Sequence, residues 1–110
     1  MSTGSITLDG GTLQLFSAGT GTDTGTFANN IVVDSGFTGT LIAMPRGTIR
    51  GSLTGSGTFN FQTDYVRAAI NGKWSAFTGQ VNVTPNTTGG DFRINNTNGF
   101  GTAKINLATA

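Results

Sequence analysis

A five-residue phrase recurs along the chain: Gly, a polar residue, an apolar one, any residue, then another apolar one. It reads GTLQL from Gly11, GTLIA from Gly39, GTFNF from Gly57, GQVNV from Gly79, GDFRI from Gly90 and GTAKI from Gly101, with a weaker copy, GTIRG, from Gly47. Each copy spaces apolar residues two apart, the period of a β-strand with one buried face. The intervals narrow the choice further, because Gly57, Gly79 and Gly101 are 22 residues apart. On that period Phe59, Val81 and Ala103 stack inward, as do Phe61, Val83 and Ile105, while Asn60, Asn82 and Lys104 face out. A second row half a turn away runs Phe27, Ile49, Ile70 and Phe92, at steps of 22, 21 and 22. Towards the N-terminus the first row loosens, with Gly39 lying 18 before Gly57 and Gly11 lying 28 before Gly39. Surface-loop insertions tolerate such variation without breaking a stack.

A period near 20 residues with strands and no helices is the mark of a solenoid, whose turns bury their apolar faces only by stacking. About five turns at roughly 4.8 Å each give a rod ~24 Å long. The expected fold is therefore all-β, a β-solenoid of about five coils forming one domain over residues 1–110, with two or three faces per coil left open by the spacing. The rival is an antiparallel β-sandwich, which also shows turn signals every 8–12 residues but gives no reason for a 22-residue register. One segment resists the pattern. DYVRAAING, from Asp64 to Gly72, reads either as a short helix capped by Asp64 and closed by Gly72 or as a strand alternating Val66, Ala68 and Ile70 against Tyr65, Arg67 and Ala69. The strand agrees with the surrounding period.

Composition supports a strand-and-turn protein and removes several functions. Thr (20), Gly (18), Asn (10) and Ser (7) make up 55 of 110 residues, types that favour strands (Thr) or the turns between them. Disordered chains combine low hydrophobicity with high net charge and abundant Pro, whereas this one carries eight Phe, two Pro and a net charge of +1. With no His and no Cys there is no Ser–His–Asp triad, no Cys nucleophile and no ordinary zinc or iron–sulfur site. A charge of +1 provides no footprint for a polyanion, so nucleic acid is not an expected partner. No apolar run approaches the ~18–20 residues that cross a bilayer. The opening Met-Ser-Thr-Gly-Ser lacks the basic and apolar regions of a signal peptide.

The Gly-Thr-aliphatic-x-aliphatic phrases, set among Gly, Thr and Asn turns from Gly11 to Leu107, resemble the autotransporter-associated strand repeats of bacterial passenger domains. The stretch GSGTFNFQTDYVRAAINGKWSAFTGQVNV, Gly55 to Val83, is similar to repeats of large secreted bacterial β-helix proteins of pectate-lyase-like shape. The resemblance implies a right-handed parallel β-helix outside the cell or on the bacterial surface. It also implies a piece of a longer secreted chain, acting as stalk or scaffold between neighbouring domains. Some such proteins cleave or bind polysaccharides, but no lyase motif is present onto which site residues can be carried.

Candidate sites are few. Gly19–Gly25 (GTGTDTG) with Ala18 approximates a calcium-binding nonapeptide, but the following TFANNIVVD supplies no second copy to share the ion, so a Gly/Thr loop is the simpler account. A phosphate cradle from the same glycines lacks a following helix. The five acids, Asp9, Asp23, Asp34, Asp64 and Asp91, are scattered. Asp9 and Asp34 read as turn residues, and Asp91 with Arg93 as a surface ion pair. A lyase-like centre with Arg67 or Lys73 as base is a remote alternative. No catalytic residues, metal or cofactor are expected.

The one ligand-binding candidate is a glycan patch of Tyr65, Arg67 and Trp74 next to Lys73, since sugars are held by an aromatic face flanked by planar hydrogen-bonding groups. Its competitor has Trp74 and Phe77 packed inward at a corner. Asn60 and Asn82, if stacked, form an amide ladder. Ice binding by Thr rows is disfavoured because the outward residues vary, and the N-x-T sequons at Asn86 and Asn95 carry little meaning in a bacterial protein. The reading is a non-catalytic scaffold module. Its alternatives are a polysaccharide-binding module and a solenoid that associates end to end.

Overall fold

The computed structural model describes residues 4–15, 26–43, 48–63, 68–85, 92–94 and 99–107. These hold twelve strands: β1 (Ile6–Thr7), β2 (Thr12–Leu15), β3 (Thr26–Phe27), β4 (Ile31–Val33), β5 (Thr38–Ala43), β6 (Thr48–Ile49), β7 (Leu53–Gly55), β8 (Thr58–Thr63), β9 (Ala68–Ile70), β10 (Gln80–Pro85), β11 (Phe92–Ile94) and β12 (Lys104–Leu107). No helix occurs among the described residues, and Ala68–Ile70 is strand rather than helix.

The strands form three sheets, ordered β1-β4-β7, β12-β10-β8-β5-β2 and β11-β9-β6-β3. From β1 to β9 the chain visits the three sheets in strict rotation, and each of β1 to β6 pairs with the strand three places further on. All nine ladders between described strands are parallel. An antiparallel sandwich is therefore not the pairing adopted. Parallel neighbours need a crossover of a dozen or more residues, and here each crossover passes through at least one strand of another sheet. The third face that spacing left unresolved is β1-β4-β7, which brings Ile31 opposite Leu53 and Val33 opposite Gly55.

The core lies between the sheets. Leu41, Phe59, Phe61, Val81 and Val83 come from the five-stranded sheet, Phe27, Ile49 and Ile70 from the four-stranded one, and Ile31, Val33 and Leu53 from the third. The segment 73–78 covers the edge of the third sheet: Leu53 N–H donates to the Lys73 carbonyl and Thr78 N–H to the Gly55 carbonyl. From that segment Trp74 and Phe77 project inward.

Phe27, Ile49, Phe59, Phe61, Ile70, Val81 and Val83 face inward as expected, but register was misread in three places. Val81 lies opposite Ile105, not Ala103, and Val83 opposite Leu107. Ile70 is followed in its column by Ile94 rather than Phe92. Gly39 lies opposite Phe59, a step of 20, so Leu41 meets Phe61. Each difference is a slip of two, which preserves the buried face of a period-two strand. The corners set the absolute register. A Cβ on Gly79 would fall on the Gly57 carbonyl oxygen, and one on Gly57 would crowd the Asp34 and Phe37 carbonyls. At Gly39, Gly57 and Gly79 the glycine of the phrase thus marks where the backbone passes another segment too closely for a side chain. Gly101 sits instead in a turn at φ +61, so β12 starts later than the phrase suggests.

Candidate functional site

Trp74 is fully buried. Its indole N–H donates to the Gly51 carbonyl at 3.2 Å. Phe59 and Phe61 meet it edge-on at centroid distances of 5.4 and 5.6 Å, and Phe100 lies tilted at 5.7 Å. The corner glycines make this seat. Gly51 and Gly72 stack so closely that a Cβ on either would strike the backbone of the preceding turn, and the indole lies under that corner. The glycan patch of Tyr65, Arg67 and Trp74 accordingly loses its indole, because a ring enclosed on every side offers no surface to a sugar. Lys73 is exposed beside it. Tyr65 and Arg67 lie outside the described residues, as do the Gly19–Gly25 loop, Asp23, Asp64, Asp91, Asn86 and Asn95.

The outward face of the five-stranded sheet carries the most regular chemistry. One column runs Thr12, Thr40, Asn60, Asn82, Asn106. Its flanks are Thr38, Thr58, Gln80, Lys104 on one side and Gln14, Ile42, Gln62, Thr84 on the other. The expected amide ladder is present: Asn82 Nδ2 donates to Asn60 Oδ1 at 2.9 Å. It extends beyond the expectation, since Asn106 Nδ2 donates to Asn82 Oδ1 at 3.5 Å and Gln80 Nε2 to the same oxygen at 2.7 Å. In-register parallel strands put identical amides one strand spacing apart, so each bonds the next. The Gly101 copy of the phrase concealed Asn106 by suggesting Lys104 in its place.

A second contact went unread. Asp9 and Asp34 follow β1 and β4 at the same step of 25 that pairs Ile6 with Ile31, and both are exposed at turns whose Gly10 and Gly36 have positive φ. The Asp34 carboxyl is raised above its ordinary value, chiefly by the negative charge of Asp9, with desolvation and a hydrogen bond between the two adding to it. The repetition of Ile-x-aliphatic-Asp at Ile6–Asp9 and Ile31–Asp34 was the available signal. Among the described residues no group of three or more His, Cys, Asp or Glu is placed to hold a metal ion. No helix long and apolar enough to cross a membrane occurs among them.

Against protein-family models, curated proteins and solved structures, the chain finds no significant match.

Proposed function

We propose that this chain is a right-handed parallel β-helix module serving as a non-catalytic scaffold or stalk within a longer bacterial secreted or cell-surface protein. The observation that carries the reading is the rotation of the chain through three sheets joined by parallel ladders alone. Successive turns then share a continuous apolar interior and an outward amide ladder. Such an object resists bending, because from β1 to β9 each turn is bonded to the next along three separate sheets. The handedness follows the resemblance to autotransporter and pectate-lyase-like repeats, and it agrees with the strong right-handed preference of parallel crossovers.

The scaffold reading is tested by placing the chain between two folded reporter domains and measuring their separation by small-angle scattering and energy transfer. A single narrow separation is expected. A broad distribution, as for a flexible linker, overturns the reading. The outward amide face of Asn60, Asn82 and Asn106 is the observation that favours a second reading, polysaccharide binding. Saturable retention on insoluble polysaccharides that is lost in a folded Asn82→Ala variant would establish it and put the site on that face, not at Trp74.

A further inference from the structure

Among the described residues, the five-stranded sheet ends in two strands with one free edge each, β12 and β2. The β12 edge presents two exposed apolar residues. Ile105 and Leu107 continue the columns of Val81 and Val83, yet they are 36% and 67% exposed where those residues are 0% and 4%. Their alternation is that of a strand with another turn above it. Between them Asn106 continues the amide ladder.

The opposite edge carries the matching strand. Gly11, Thr12 and Leu13 repeat the tripeptide Gly39, Thr40, Leu41. That second copy pairs inside the protein with Phe59, Asn60 and Phe61, glycine facing the first ring, Thr facing Asn and Leu facing the second ring. Ile105, Asn106 and Leu107 repeat the apolar–Asn–apolar pattern of the partner strand. The β5–β8 ladder therefore already joins, in the reverse order along the stack, the two kinds of strand that stand at the free edges. Unpaired edges of this kind are templates for another chain.

Resting on the scaffold reading, we infer that a second copy of this chain docks head to tail. Its β2 adds in parallel to β12, with Gly11 over Ile105, Thr12 over Asn106 and Leu13 over Leu107. The contact uses two different surfaces and does not close on itself, so it propagates into linear assemblies.

Sedimentation velocity and light scattering over a wide concentration range test this on the purified chain, with circular dichroism as the check on folding. Growth from the 11.2 kDa monomer into a concentration-dependent series is expected. Leu107→Lys, at an already exposed position, places a charge in the seam and lowers the association constant roughly ten- to hundredfold. It also shortens wild-type assemblies when added in small amounts, because its β2 edge still docks. Thr12→Lys weakens association, and Asn106→Asp in the same chain restores roughly two- to fivefold by setting opposite charges face to face.

A folded β-protein that stays monomeric at every concentration overturns the inference and leaves the scaffold reading standing. Association unchanged by Leu107→Lys overturns it as well. Loss of β-signal in the wild-type chain, by contrast, would count against the scaffold reading itself.

Discussion

Replacing Trp74 by alanine removes a ring with no exposed surface, three aromatic contacts and the donor to the Gly51 carbonyl. Truncating a buried Trp costs about 3–5 kcal/mol, and a buried carbonyl left without its donor adds about 1–3 kcal/mol. A chain of this size is stable by roughly 5–15 kcal/mol in total, so a loss of about 4–8 kcal/mol removes between about a quarter and all of it. Trp74→Phe separates the contributions. It keeps an aromatic ring against Phe59 and Phe61 and loses the hydrogen bond and part of the volume, for a cost of about 1–3 kcal/mol. Urea unfolding followed by circular dichroism reads both variants, since fluorescence is lost with the only Trp. In the wild type that fluorophore reports its own burial through a blue-shifted emission and resistance to iodide quenching. An alanine variant with the wild-type urea midpoint, or a readily quenched Trp, would refute the placement of Trp74 in the core.

Gly79→Ala sets a Cβ on the Gly57 carbonyl and is expected to lose at least about 1–3 kcal/mol in chemical denaturation, as overpacked sites do; Gly11→Ala, with open space around it, should be neutral or gain about 0.4–1 kcal/mol. Asn82→Ala removes the central rung of the ladder, and a loss of about 0.5–1.5 kcal/mol is expected, with no change in secondary structure by circular dichroism. The pair Asp9 and Asp34 gives a pH signature. Because the Asp34 carboxyl is raised in the folded protein, the fold binds more protons than the unfolded chain between the ordinary Asp pKa of 3.8 and the raised value. Stability therefore increases as pH falls through that window and is lost as pH rises through it. Melting curves of Asp9→Asn should lack that acid-side gain, and an unchanged profile would count against the contact.

The pairing of the carboxylates, the amide ladder and the buried Trp were legible to different degrees, for reasons visible in the residues themselves. Asn60 and Asn82 occupy the same place in two copies of one phrase, so their meeting follows from the period alone. Asn106 lies one residue past the end of the last copy and joins the same column only because the turn around Gly99 and Gly101, both at positive φ, delays the strand by two residues. For Trp74, both an exposed and a buried position are consistent with the Gly-Lys turn before it. The corner of Gly51 and Gly72, which leaves room for an indole beneath it, decides for burial.

The alternation of apolar and polar residues, repeated at steps near 22, was enough by itself to specify strands, their inward and outward faces and the rows of Phe, Val and Ile that make the core. A face survives any slip of two residues, so this part of the fold depends only on local parity. The pairing register, the third sheet through Ile31, Val33 and Leu53, and the fate of each edge were decided by tertiary structure. They depend on how closely one corner's backbone passes another, a distance between residues some 20 or more positions apart in the chain that local parity does not specify.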